Sequence, residues 1–182
     1  MEFKKIDITK EASYKKVSPM SSMAISIETL DTIINLARVY NVRKFFEFGT
    51  WGGFSAVEFC RQIPAIVYTI DYKIYLHPIG PKDFKEEDLI RIIADSTKFD
   101  FTPYKEYFDM VFVDGGHDYN TVKSDTENGL LILKTDGIMA WHDYVPEANK
   151  SGYEVAKYID EEIKPKFQLY KVDPSIIFLR KP

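Results

Sequence analysis

Phe45-Phe46-Glu47-Phe48-Gly49-Thr50-Trp51-Gly52-Gly53-Phe54-Ser55 reads as a buried strand that breaks into a glycine turn and opens a helix. Residues 44–48 carry the aromatic, apolar character of a short core strand, and from Phe54 to about residue 62 the apolar positions return at helical spacing until Pro64 stops them. Gly49 and its neighbours Gly52 and Gly53 let the backbone take positive φ and let a ligand approach where a Cβ would block it. The free N–H groups of the new helix favour polar or anionic ligand atoms. The spacing is Glu47-x-Gly49-x-x-x-Gly53, which departs from the G-x-G-x-x-G of dinucleotide binders. An acid two residues before the first glycine suits a cationic ligand better than a pyrophosphate. The plainer alternative is a corner whose glycines only turn the chain.

Outward from this turn the chain alternates. Ser26 or Thr29 caps a helix running to about Tyr40, with Ile27, Leu30, Ile33, Ile34, Ala37 and Tyr40 near one face. Residues 65–70 form a second apolar strand, and Asp71 follows it, placed either to cap a helix or, as in nucleoside-binding α/β folds, to accept hydrogen bonds from a ribose diol. Tyr75 to Pro81 is a loop by its prolines and glycine, with at most a short helix near 82–88, and His77 in it reads as a surface histidine. Residues 89–94 make a third strand that ends at Asp95-Ser96. Residues 107–113 make a fourth, running into Asp114-Gly115-Gly116-His117-Asp118-Tyr119. An amphipathic helix over 120–133 has Val122, Leu130, Leu131 and Leu133 as its apolar members. Asp136-Gly137 turns into a fifth strand that ends in Trp141-His142-Asp143-Tyr144. A helix from about 152 to 163 precedes strands at 167–172 and 176–180, joined by Asp173-Pro174-Ser175. The pattern predicts an α/β fold, a Rossmann-like doubly wound sheet of seven mostly parallel strands with an antiparallel last strand. The 182 residues suit one domain, with 1–25 as an N-terminal arm.

Composition narrows the function classes. Hydrophobic residues are 45% and aromatics 15%, which is a globular composition, and the net charge of −4 without a basic block gives no footprint for nucleic acid. The lone cysteine, Cys60, permits no disulfide within the chain and reads as a buried structural thiol. The N-terminus lacks a signal-peptide run and no stretch of 18 apolar residues is present, so no membrane partner and a cytoplasmic location are expected.

The Glu47–Ser55 stretch resembles the first motif of class I S-adenosylmethionine-dependent methyltransferases, most closely the version in small cation-dependent O-methyltransferases. The Val-Asp-Gly-Gly-His-Asp-Tyr and Trp-His-Asp-Tyr segments resemble equally well the group around macrolide and cephalosporin-pathway methyltransferases. The resemblance runs from about Ser26 to Tyr144 and implies S-adenosylmethionine as cofactor, held by Glu47, Gly49, Thr50, Trp51, Gly53 and Ser55 in the turn. Asp71 and Tyr72 would follow at the ribose, Asp95 and Ser96 near the adenine amino group, and Asp114 beside them. It implies a divalent cation, usually Mg²⁺, on the acids after strands four and five, which are Asp114 and Asp143 here. The family's next ligand, an Asn, is replaced by Tyr144, so the set is incomplete unless waters or His142 fill it. The family's basic lysine three residues after the first acid is matched by His117, which becomes the candidate catalytic base. The implied reaction is methylation of a hydroxyl on a small-molecule acceptor, and a homo-oligomer stays open. An NAD(P)-dependent oxidoreductase, and a module that binds the cofactor without catalysis, remain alternatives.

Overall fold

A computed structural model of the chain describes residues 3–11, 15, 25–73, 85–148, 150–172 and 176–182. Helix α1 spans Ile27–Val39, and its N-cap is Ser26, whose side chain accepts the Thr29 N–H. The organising stretch forms β2 (Lys44–Phe48) and α2 (Phe54–Gln62), after a short β1 (Lys4–Lys5). Then come β3 (Ile66–Asp71), β4 (Leu89–Ile93), β5 (Phe108–Val113) and α3 (Tyr119–Ile132). Asp118 caps α3 by accepting the Thr121 N–H, and β6 (Leu133–Trp141) follows at once. Helix α4 (Tyr153–Tyr158) continues into a π-helical turn, Ile159–Ile163, before β7 (Leu169–Val172) and β8 (Ile176–Arg180). His77, the 82–84 part of the short helix, Ser18–Met23 and the Asp173-Pro174-Ser175 turn fall outside the described residues.

The strands form one sheet in the order β1-β7-β8-β6-β5-β2-β3-β4. All pairs are parallel except those of β8, which runs antiparallel to both β6 and β7. The Rossmann-like reading therefore holds with eight strands instead of seven. The extra one is β1, whose Lys4 and Lys5 pair with Tyr170 and Lys171. Two exposed lysines carry no alternation from which a strand could be read. Further differences lie around α3. Leu133 belongs to β6, and Leu131 is exposed; the buried face is instead Val122, Asp125, Thr126, Gly129 and Ile132.

Alternate residues of the central strands feed two cores. Phe45, Met110, Phe112 and Ala140 pack with α1 and α2 on one face, and Phe46, Val111, Met139 and Trp141 with α3 and α4 on the other. Both faces are covered, which is why these strands read as nearly continuous apolar runs. At the amino-terminal end of the sheet, Asp109 of β5 joins three strands. Its Oδ2 accepts the backbone N–H groups of Arg43 and Lys44, both at 2.9 Å, and Oδ1 accepts from Lys134 Nζ at 2.6 Å. At the opposite, carboxyl-terminal end, chain connections leave β2 toward β3 on one side while β5 lies on the other. That reversal opens a crevice between the strand ends.

Candidate active site

The crevice is a cavity of about 660 Å³ lined by the ends of β2 to β6. At its centre the turn after β2 holds Gly49 at φ +95°, with its N–H donating to the Ile70 carbonyl at 2.9 Å. Gly53, at φ +74°, starts α2, and Trp51 between them also has positive φ. Trp51 is held there because its N–H donates to Asp71 Oδ2 at 2.8 Å. Asp71 also accepts the Lys73 N–H at 3.3 Å and keeps a face on the cavity, beside the exposed Tyr72.

Gly49, Thr50, Trp51, Ser55, Asp71, Tyr72, Asp95, Ser96, Asp114, His117, His142 and Asp143 all line this one cavity. Glu47 and Gly53 do not reach its wall. Glu47 is fully buried beneath the turn, where its carboxyl accepts from the Ser55 hydroxyl and, at 2.7 Å, from the Thr69 hydroxyl. The Thr50 and Thr69 hydroxyls are themselves 2.7 Å apart. Burial pushes the Glu47 carboxyl up to about 8, against the pull of those hydrogen bonds. A neutral acid under the glycine turn braces the residues that face the cavity, a different position from the direct contact with a cationic ligand expected for it.

Asp95 faces the cavity but is largely occupied: it accepts from the Thr97 N–H (3.0 Å), the Thr97 hydroxyl (2.6 Å) and Lys98 Nζ (2.7 Å). The Lys98 and Thr97 contacts hold it down at about 2. Its neighbour Ser96 lies beside Asp125, a residue that escaped the sequence reading. Asp125 sits in the middle of α3, 1% exposed, and lines the cavity. Its signal was available, since Val122, Asp125, Thr126 and Gly129 fall at i, i+3, i+4 and i+7 and put a carboxyl on the buried helix face.

At the ends of β5 and β6, four side chains form a continuous chain. His117 Nε2 lies 2.9 Å from Asp143 Oδ2, which is 3.2 Å from His142 Nδ1, which is 2.7 Å from Asp114 Oδ1. Although burial opposes it, the two carboxylates lift His142 to about 10. Asp143, despite its own burial, is held well below the usual carboxylate range by hydrogen bonds from His117 and His142. The bond to Asp143 raises His117, with burial acting against the rise. Asp143 has φ +55°, a conformation rare for a residue with a side chain and found at functional sites. Among the described residues, Asp114, His117 and Asp143 offer three ligand atoms within 4.8 Å of one another, and His142, expected as a ligand, bonds both acids. Tyr144 is turned away: its hydroxyl donates to both oxygens of Asp160, at 3.0 and 3.2 Å.

Residues 46–144, more than half of the chain, match the family model described as a methyltransferase domain, and the chain belongs to that family. This bears out the resemblance to class I S-adenosylmethionine-dependent methyltransferases. No curated protein matches. Among solved structures, the chain is similar to the O-methyltransferase TomG from Streptomyces achromogenes, in complex with SAM, at 18% identity and TM-score 0.62. That match covers 87% of this chain and 82% of TomG. Similar too is the SAH-bound methyltransferase PaMTH1 from Podospora anserina, at 18% identity, TM-score 0.61 and coverage of 88% and 80%. MycE from the mycinamycin biosynthetic pathway, in complex with Mg, SAH and mycinamycin VI, is 15% identical at TM-score 0.60, covering 88% of this chain and 50% of MycE. At these identities the likeness is one of fold. No helix among the described residues is long and apolar enough to cross a membrane.

Proposed function

We propose that residues 1–182 act as one domain that moves a methyl group from S-adenosylmethionine to a hydroxyl of a small molecule. The observation that carries this reading is the His117–Asp143–His142–Asp114 chain at one end of a cavity whose other walls suit an adenosyl group. S-adenosylmethionine supplies an electrophilic methyl. The protein's part is to orient two substrates, exclude water and take up a proton. Asp71 accepts from the ribose diol, and the turn from Gly49 to Trp51 passes along the methionine portion. His117 receives the hydroxyl proton, with Asp143 fixing its ring through Nε2. Two carboxylates and an imidazole also fit a divalent cation such as Mg²⁺ or Mn²⁺. With a cation bound, Asp114, Asp143 and His117 would hold it in place of the His117 base, and the cation would lower the pKa of a coordinated hydroxyl.

Calorimetry with S-adenosylhomocysteine and with NAD tests the cofactor, and release of S-adenosylhomocysteine across a library of hydroxylated compounds tests the transfer. Binding of S-adenosylhomocysteine that weakens about tenfold to a hundredfold in Asp71→Ala is expected, because one charge-assisted hydrogen bond is lost. Binding of NAD alone overturns the reading. Binding of S-adenosylhomocysteine without transfer to any compound leaves a cofactor-binding module and removes the enzyme.

A further inference from the structure

Asp143 is the residue that fixes His117, yet it stands at φ +55°, a conformation that a side chain disfavours. Such a residue stays in place only where its surroundings hold it. On the strand side the His142 N–H donates to the Val113 carbonyl at 3.1 Å, and Trp141 Nε1 donates to the Thr126 hydroxyl at 2.9 Å. On the far side two contacts take over. Gly152 packs so tightly against Asp143 that a Cβ there would lie 2.4 Å from the Asp143 carbonyl oxygen. Tyr144, 5% exposed, is absent from the cavity wall, and its hydroxyl donates to both oxygens of Asp160 at 3.0 and 3.2 Å. These two side chains belong to a closed ring of four. Lys164 Nζ reaches Asp160 Oδ1 at 2.9 Å and lies 4.5 Å from the centre of the Phe3 ring, which meets the Tyr144 ring edge-on at 5.3 Å. Asp160 itself sits in the π-helical turn, and turns of that kind are frequent at functional sites.

We propose that Tyr144 is a positioning residue for the transfer: its hydroxyl, tied to Asp160, holds Asp143 in the left-handed conformation and so keeps that carboxylate on His117. This rests on the methyltransferase reading, in which His117 takes the proton of the acceptor, and it adds a residue that touches neither cofactor nor acceptor. The tie has the right size, because a hydrogen bond to a carboxylate is comparable with the cost of positive φ at a residue that carries a side chain. The Tyr144 ring fills space against Phe3, but only the hydroxyl fixes where the chain after Asp143 must run.

The test compares wild-type protein with Tyr144→Phe, Asp160→Ala and Asp160→Asn by crystal structure, urea denaturation, calorimetry with S-adenosylhomocysteine and transfer kinetics. In Tyr144→Phe, Asp143 should leave positive φ and its Oδ2 should draw away from His117 Nε2 beyond about 3.5 Å, past hydrogen-bond reach. Transfer should then lose about tenfold or more in kcat with KM for S-adenosylmethionine within about twofold, because placement of the base is lost and cofactor binding is not. Asp160→Ala leaves the hydroxyl without its acceptor and should do the same, whereas the amide oxygen of Asp160→Asn still accepts and should keep the wild-type separation and kcat. Tyr144→Phe and Asp160→Ala that lower only the urea midpoint and leave Asp143 on His117 overturn the inference, since the bond would then serve stability alone. So does an Asp160→Asn that behaves as Asp160→Ala. Should Tyr144→Phe fail to fold, the two Asp160 variants decide by the same separation. Wild-type protein that binds no S-adenosylhomocysteine overturns the methyltransferase reading instead, and the part given to Tyr144 in transfer falls with it.

Discussion

The backbone carbonyl of Asp114 fills the space in which a side chain on Gly49 would begin: a Cβ there would lie 2.2 Å from the oxygen. Gly49 also sits at φ +95°. The β2 turn and the β5 end are thus pressed together, and the cavity takes its central shape from that contact. Gly49→Ala should cost roughly 1–3 kcal/mol from backbone conformation alone, with the clash adding to it. It should also weaken S-adenosylhomocysteine binding, because Asp114 must move. Urea denaturation with parallel calorimetry checks both, and an alanine variant with wild-type midpoint and affinity would show that the contact is not tight.

Glu47 gives stability a particular pH dependence. Its folded-state pKa of about 8 lies above the ordinary 4.5 of the side chain, so in that window the folded protein binds more protons than the unfolded chain. Stability from this residue is complete below about pH 4.5 and is lost as pH rises toward 8. Glu47→Gln removes the titration. The difference in unfolding free energy between variant and wild type should grow in favour of the variant across that window, by on the order of 1 kcal/mol or more. A difference that stays flat from pH 5 to 8 in denaturant titrations would sink the assignment of a neutral buried acid.

The His117–Asp143 pair should be visible in a titration without any substrate. His117 is raised above its ordinary 6.5 chiefly by the bond to Asp143. The ring is a base only when neutral, so transfer should climb with pH through this raised value. In NMR the His117 ring should titrate above 6.5 in wild-type protein and move down in Asp143→Asn. If Asp143→Asn leaves its titration unchanged, the carboxylate is not what sets the basicity of that ring.

A cation at Asp114, His117 and Asp143 predicts a response to metal that is separate from cofactor binding. Mn²⁺ should bind in calorimetry, and Asp143→Ala should abolish that binding while weakening S-adenosylhomocysteine far less, because the Gly49–Trp51 turn and Asp71 are left in place. Transfer should fall in chelator and return with Mg²⁺ or Mn²⁺. Full activity in chelator together with an active Asp143→Ala would leave His117 working alone.

The fold was readable because the central strands are buried on both faces and each ends in a distinctive cluster. Glu47-Phe48-Gly49, Asp71, Asp95-Ser96, Asp114 and His142-Asp143 mark five adjacent strand ends, and a doubly wound sheet gathers such ends on one edge. Sequence spacing says less about which way a side chain points. Glu47 sits in a strand with phenylalanines on both faces, so the alternation that usually separates core from surface is missing, and its burial under the turn leaves no trace in the pattern. Asp125 was hidden for the opposite reason. Leu130 and Leu131 drew the apolar stripe of α3 toward residues that the fold leaves partly or wholly exposed. The π-helical turn at Ile159–Ile163 and the two-residue β1 depend on tertiary packing and have no local signature.

The clasp at Asp109 separates durability from chemistry along the length of the sheet. Asp109 ties β2 and β5 and holds Lys134 at the amino-terminal edge, while every titrating side chain of the cavity stands at the other edge. From Asp109 in β5 to Asp114 just beyond its end the chain rises roughly 17 Å, at about 3.3 Å per residue. Substitutions at the clasp and substitutions at the cavity are therefore too far apart to share a partner, and their free energies should add. The protein can drift toward heat or cold at one edge while its choice of methyl acceptor drifts at the other, two lineages of change written into the same strands without crossing.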